Sequence, residues 1–103
     1  MMVIREVMYC RPGKVRPMVE KFLAMSRINQ RLGLGAMRVM TDFCAERYWT
    51  IVAEFEVESL QEFEEMMQGK GMTPEATKEM ETLMQGYHDL VDHGKREIYK
   101  LEG

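Results

Sequence analysis

The stretch YCRPGKV, residues 9–15, decides the fold of this chain. An apolar strand stops there at a Pro-Gly turn, because proline lacks a backbone N–H and glycine adopts turn conformations freely. An amphipathic helix begins at once, since Val15, Met18 and Phe22 recur at helical spacing along one face. The junction therefore predicts a β-α unit at the start of the chain.

The rest of the chain completes this unit. The stretch SLQE, residues 59–62, is a capping box, and Thr73 followed by Pro74 is typical of a second helix start. Gly33 is the expected left-handed cap of the first helix, and Gly94 is expected to end the last one. The predicted elements are a strand over 3–10, a helix over 14–32, strands over 36–43 and 48–57 joined by a turn over 42–47, helices opening after 59 and after 73, and a strand over 96–101.

Hydrophobic periodicity assigns the buried faces of these elements. The hairpin is expected to bury Met37, Val39, Thr41 and Phe43 from its first strand, and Trp49, Ile51, Ala53, Phe55 and Val57 from its second. The last helix is expected to bury a stripe of seven residues: Ala76, Met80, Leu83, Met84, Tyr87, Leu90 and Val91.

The order β-α-β-β-α-β, with a split second helix, predicts an α+β, ferredoxin-like domain that spans residues 1–103. Four antiparallel strands then carry helices on one face only. The opposite face is expected to include Val52, Met40 and Met8, which need cover. A second copy of the chain is the simplest cover, and it predicts a barrel-like homodimer of two sheets packed back to back.

Composition excludes several functional classes. The net charge is −3 and the basic residues are scattered, which argues against nucleic-acid binding. No apolar run approaches the length of a membrane span, and early charges do not suit a signal peptide, so we expect a cytoplasmic protein. Cys10 and Cys44 are expected to be free thiols. Twelve methionines favour a methionine-rich core over a copper site, because most of them fall at core-facing helical spacing.

Residues 9–15 with Phe22, and the strand over 49–57, resemble the dimeric α/β-barrel superfamily. That group includes the NIPSNAP-like, the antibiotic-biosynthesis monooxygenase-like and the EthD-like proteins. The resemblance is strongest to the NIPSNAP-like branch, whose first strand ends in a similar aromatic-x-x-Pro-Gly-Lys turn. It implies homodimers with a pocket between the helices and the sheet of each subunit.

Members of the superfamily include cofactor-independent monooxygenases, haem-degrading enzymes, isomerases and decarboxylases, and many have no known activity. The haem-degrading members use an asparagine on the first strand together with a tryptophan and a histidine. The first strand of this chain has no asparagine, so the resemblance does not imply haem degradation here.

Two polar residues fall on apolar helical stripes. Asn29 lies between Met25 and Leu32, where it either binds a ligand in a pocket or, as is commoner, is a satisfied core amide or a residue at a partly exposed helix end. His88, beside Tyr87, is the best candidate for a general acid or base, and its alternative is a border residue with a wetted tip.

Aromatic residues and a buried thiol offer further candidates. Tyr9, Tyr48, Trp49, Phe43 and Phe55 line either a flat aromatic pocket, with Tyr9 and Trp49 as ligand contacts, or simply the core. Cys10 has no adjacent base that would make it a nucleophile.

The segment after Tyr87 also suggests metal ligands. His88 with Asp92, and Asp89 with His93, have helical spacing but point to different faces, so no metal site is predicted. No nucleotide-binding fingerprint is present, and no cofactor is predicted.

Charges are also expected on the open face of the hairpin. Arg38 and Glu54, joined by Arg5 or Glu6, are expected to form a network there, either for an anionic substrate or within the dimer interface.

Three functions fit these observations. The first is a cofactor-independent monooxygenase for a phenolic or enolic metabolite, with His88 as base and with Asn29 and Tyr87 orienting the substrate. The second is a non-catalytic binding module for an apolar metabolite. The third is a structural or interaction domain whose own side chains fill the pocket.

Overall fold

The computed structural model describes residues 1–103 as one antiparallel sheet with helices against one of its faces. The strands are β1 (Met2–Cys10), β2 (Arg38–Thr41), β3 (Thr50–Val57) and β4 (Val91–Lys100). The helices are α1 (Val15–Arg31), α2 (Leu60–Met67) and α3 (Pro74–Met84), followed by a short 3-10 helix (Tyr87–Asp89). The strand order β2-β3-β1-β4 confirms the ferredoxin-like α+β fold with a split second helix. None of the helices combines the length and the apolar character needed to cross a membrane.

The predicted caps form where the sequence places them. Ser59 Oγ accepts a hydrogen bond from the backbone N–H of Glu62 at 3.2 Å, and Thr73 Oγ1 accepts one from Ala76 at 3.1 Å. Pro74 occupies the first turn of α3. Gly33 has φ 75°, as expected of a left-handed residue after α1.

The last helix is shorter than its hydrophobic stripe predicts. α3 ends at Met84, and Gly86 turns the chain with φ 79°. Lys21 Nζ donates to the carbonyl oxygens of Leu83 (2.6 Å) and Gln85 (3.1 Å), which satisfies acceptors at this helix end. The predicted extension to Val91 is therefore wrong, because Val91 reaches the same core from the start of β4.

Gly94 does not end a helix either. It lies within β4, opposite Met8 of β1, and a Cβ on it would stand 2.7 Å from the carbonyl oxygen of Val7. A side chain there cannot fit without a shift of the backbone, so the glycine serves close strand pairing.

The hairpin strands are also shorter than predicted. β2 stops at Thr41 and β3 begins at Thr50. The loop between them is closed by a hydrogen bond, in which Asp42 Oδ1 accepts the N–H of Thr50 at 2.9 Å. Phe43 stands fully exposed on this loop, and Trp49 has φ 61° just before β3. Neither residue belongs to the buried face that alternation predicts for it.

The hydrophobic core lies between the sheet and the helices in two separate clusters. The first packs the N-terminal half of α1 against the sheet where β1 ends and β3 begins, and it contains Cys10, Met18, Val19, Phe22, Ile51 and Ala53. The second packs α2 against the opposite end, where β1 begins and β3 ends, and it contains Ile4, Val57 and Phe63. The buried core is therefore divided rather than continuous.

The sheet face opposite the helices carries an ion network. Arg5 donates to Glu54 Oε2 from Nη2 (2.9 Å) and Nε (3.2 Å), and Arg38 bonds the other oxygen of the same carboxylate. The charged network predicted for this face is confirmed, and Arg5 rather than Glu6 completes it. The prediction that Met8 lies on this face is wrong, since Met8 packs against the first core cluster beneath the helices.

The ionisation of Glu54 follows from these contacts. Its hydrogen bond with Arg5 lowers the pKa of the carboxyl, burial opposes the shift, and Arg38 lowers the pKa further. The folded state therefore binds a proton at Glu54 less readily than the unfolded chain does. The stabilisation is present above the unfolded pKa of about 4.3 and is lost as pH falls through the lower folded pKa.

We expect Glu54→Gln to lower the free energy of unfolding at pH 7 by about 1.5–3 kcal/mol, the range for hydrogen bonds to charged groups. Urea denaturation between pH 7 and pH 2 measures this effect. The gap between the two proteins should close toward the acid end, because wild-type Glu54 is then protonated. Glu56→Gln, an exposed neighbour on the same strand, is the control and should differ little from wild type. A constant gap across the whole range would contradict the assigned role of the charge.

Candidate functional site

A cavity of about 460 Å³ separates the two core clusters. Its floor is the helix-facing side of the sheet, and its walls come from all three helices. Fourteen of its eighteen lining residues are hydrophobic, including Phe22 of the first cluster and Phe63 of the second. This volume lies within the range of pockets that bind small molecules.

Methionines form most of the cavity wall. Of the twelve in the chain, eight line it: Met8, Met25, Met37, Met66, Met67, Met72, Met80 and Met84. The methionine-rich interior predicted from the sequence is therefore largely a cavity lining. Unbranched, polarizable thioether side chains adjust to ligands of different shape, so this wall is adaptable.

Contacts between the helices fix the position of the cavity walls. The bonds of Lys21 to the end of α3, and an Arg31–Glu79 ion pair at 2.5 Å, tie α1 to α3. The link between α2 and α3 passes close to Leu34, since a Cβ on Gly71 would lie 2.8 Å from Leu34 Cδ2. Gly71 also has φ 87°, so glycine suits this position in both conformation and space.

Four polar residues line the cavity: Glu6, Asn29, Lys70 and Arg96. Asn29 is half-buried on α1, as its place on the apolar stripe predicts, and its side-chain amide bonds no other protein group. A half-buried amide facing an apolar cavity supplies both donors and an acceptor to a ligand. Asn29 is therefore not a buried core amide: it is a partly exposed residue near the end of α1 that borders the cavity.

Sequence reasoning missed Arg96 and considered Glu6 only for the network on the open face. These residues pair across β1 and β4, and Arg96 Nε donates to Glu6 Oε1 on the helix-facing side of the sheet. The available signal was strand alternation, which places Glu6 on the same face as Ile4 and Met8. A carboxylate among apolar neighbours needs a partner, and the last strand carries it.

A second depression, of about 390 Å³, runs beside β4 and contains His88. It shares Glu6, Met8, Tyr87 and Arg96 with the cavity, so the two spaces adjoin. His88 is exposed in the 3-10 helix, and its ring centroid lies 4.0 Å from that of Tyr87. Tyr87 is thus a cavity residue, whereas His88 lies in the adjoining groove.

The other predicted ligand contacts lie elsewhere. Tyr9 is on the open sheet face, where its ring lies 4.8 Å from that of His93 and 4.5 Å from the Arg47 guanidinium carbon. Trp49 lies on the β2–β3 loop with 43% of its surface exposed. Of the five aromatic residues expected to share a pocket, Phe55 alone lines the cavity, while Phe43, Tyr48 and Trp49 line a separate depression on the β2–β3 loop.

Two other chemistries find little support in the geometry. Cys10 is buried, and burial raises the pKa of its thiol, which disfavours the nucleophilic thiolate. Cys10 and Cys44 are both free thiols, as predicted. No three histidine, cysteine, aspartate or glutamate side chains are arranged to hold a metal ion.

Solved structures with the same fold include NIPSNAP-like proteins. An uncharacterised NIPSNAP-like domain protein from Burkholderia xenovorans superimposes with a TM-score of 0.76 at 16% identity, over 98% of this chain and 84% of that one. A protein from Agrobacterium tumefaciens gives 0.74 at 15% identity, over 97% and 92%. A NIPSNAP family protein from the same species gives 0.67 at 14% identity, over 97% and 92%.

These likenesses confirm the NIPSNAP-like fold that residues 9–15 suggest. At such low identity they establish the fold alone. No protein-family model matches the sequence, and no curated protein is significantly similar to it.

Proposed function

We propose that this protein binds an apolar small molecule in the cavity between its sheet and its helices. The observation that carries the proposal is the position of the cavity. The chain has only 103 residues, yet an apolar cleft of about 460 Å³, open to solvent, lies between its two clusters of buried residues. Protein interiors are normally packed as densely as organic crystals.

A ligand in this space would cover apolar side chains that water now contacts, which is favourable because it removes apolar surface from water. Binding to the folded state alone also stabilises it, with the logarithm of the ratio of ligand concentration to dissociation constant. The unpartnered amide of Asn29 gives such a ligand a polar point of attachment.

Binding is measurable with N-phenyl-1-naphthylamine, a neutral probe that fluoresces in apolar surroundings. We expect a saturable rise in fluorescence and a higher melting temperature for the wild-type protein. Ala53→Leu should weaken probe binding at least tenfold, because Ala53 is buried on the cavity floor and a larger side chain there occupies ligand space.

Ala24→Leu adds the same atoms on α1 outside the cavity lining and serves as the control. Circular dichroism shows whether both variants fold. Equal probe binding by two folded variants would contradict the cavity as the site, and the absence of any probe binding would favour the structural alternative.

We further propose that the protein forms a homodimer through its open sheet face. The molecule measures 36 × 35 × 18 Å, so it is a slab of one sheet and one helical layer. The open face carries Val52, Met40 and Tyr99, the last two more than 40% exposed, around the Glu54 network. A second copy would cover these side chains.

Analytical ultracentrifugation of Met40→Glu tests this dimer. The added carboxylate would lose its hydration inside a sheet-to-sheet interface, so we expect a shift from dimer to monomer at micromolar concentration. Leu23→Glu places the same charge on the exposed face of α1 and should leave the dimer unchanged. A wild-type protein that sediments as a monomer would overturn the dimer.

Oxygenation is a second candidate function, and the adjoining groove favours it. A phenol or enol held in the cavity would extend its hydroxyl toward Tyr87 and His88. His88 would take the hydroxyl proton, and the substrate anion would reduce dioxygen without a cofactor. In balance, the substrate loses two hydrogen atoms and gains one oxygen, and the second oxygen atom leaves as water.

Oxygen consumption with a panel of phenols and naphthols tests this candidate. We expect His88→Gln to reduce the rate by about 10²-fold or more, the usual contribution of a general base. His93→Gln is the control, because the His93 ring is already engaged by Asp92 and Arg47. A rate unaffected by His88→Gln, or no consumption with any substrate, would eliminate oxygenation and leave the binding proposal intact.

A further inference from the structure

Arg96 lies where the cavity meets the groove. Its Nε donates to Glu6, and its guanidinium carbon lies 5.1 Å from the centre of the Phe63 ring on the cavity wall. The Arg96 side chain is 42% exposed and that of Glu6 only 19%. The guanidinium is thus fixed in orientation but still accessible.

The ion pair with Glu6 uses one edge of this guanidinium. Arginine has five N–H donors in a planar fork, and the bond to Glu6 employs Nε alone. The two terminal nitrogens of Arg96 bond no other protein group. Such a free edge matches the two oxygens of a carboxylate or a phosphate.

The cavity lining contains two basic residues that could contact an anion. They are Lys70 and Arg96, which pair with the carboxylates of Glu65 and Glu6 respectively. Lys70 is 70% exposed and already pairs with Glu65 at 2.7 Å, so Arg96 is the better placed base. The chain as a whole carries −3, and any preference for an anion must therefore come from this local site.

We propose that the cavity takes an amphipathic ligand whose anionic head group binds Arg96 while its apolar body lies among the methionines. This inference rests on the proposed binding function and adds its ligand class: an apolar carboxylate or phosphate. Glu6 is the internal counterion, which holds Arg96 in place when the cavity is empty and competes with the incoming head group.

Three ligands with the same ten-carbon chain test the inference by displacement of N-phenyl-1-naphthylamine. They are decanoate, 1-decanol and decyltrimethylammonium. We expect decanoate to displace the probe at a concentration at least tenfold lower than decyltrimethylammonium, and at a lower concentration than 1-decanol.

Variants of the ion pair then separate the two charges. Arg96→Gln should weaken decanoate at least tenfold and change 1-decanol less than twofold. Glu6→Gln should strengthen decanoate several-fold, because it frees Arg96 from its counterion. Arg27→Gln removes a positive charge from an exposed position outside the cavity and should leave all three ligands unchanged.

Equal displacement by the acid and the alcohol in the wild-type protein would overturn the role of Arg96 while the cavity function stands. Equal weakening of decanoate by Arg96→Gln and Arg27→Gln would overturn that role as well. Failure of the probe itself to bind would instead refute the proposed function. Should Arg96→Gln not fold, the opposite sign expected for Glu6→Gln still decides the question.

Discussion

A single helical layer covers a four-stranded sheet, and this constraint shapes the rest of the molecule. A sheet has two faces, and a chain of 103 residues supplies helices for one of them. The central strand β1 contributes side chains to both faces. Ile4 is wholly buried beneath the helices, while Arg5 lies in the ion network of the open face. Alternation along one strand thus directs one set of side chains to the core and the other set to a sheet face that no helix covers.

The helical layer does not cover its face of the sheet completely. Because α2 and α3 are short and separated by Gly71, they leave a gap over the middle of the sheet instead of one closed core. Methionines border that gap from several elements at once. Their flexibility lets the walls remain apolar without demanding a single packed arrangement, whereas β-branched side chains are stiffer.

Much of this architecture is legible in the sequence. The Pro-Gly turn, the Ser59 and Thr73 caps and the alternation of β3 fix the order of elements, because each depends on residues close in sequence. The end of α3 has a local signal that hydrophobic periodicity alone passes over: Gly86, with φ 79°, follows the C-terminal cap of this helix. Periodicity is ambiguous there because helical and extended chains can bring the same apolar residues to one core. A tertiary contact adds to the local signal, since Lys21, over sixty positions away, bonds the carbonyl groups at this helix end.

The candidate site was only partly predictable, because part of it depends on strand pairing. Asn29 falls on the apolar stripe of α1 that local periodicity reveals, and Tyr87 lies in the 3-10 helix that follows α3. The Glu6–Arg96 pair instead joins residues ninety positions apart and depends on the pairing of β1 with β4.

The two carboxylates on the sheet show how one motif serves two ends. Glu54 has an arginine on each oxygen and a side chain only 6% exposed, so its charge is neutralised within the fold. Glu6 has a single arginine, whose outer edge remains free beside an apolar cavity. A saturated pair of this kind fixes strand register, whereas an unsaturated one keeps hydrogen-bonding capacity for a partner that is not part of the chain. The difference in saturation, rather than the presence of charge, distinguishes the structural network from the site we assign to a ligand.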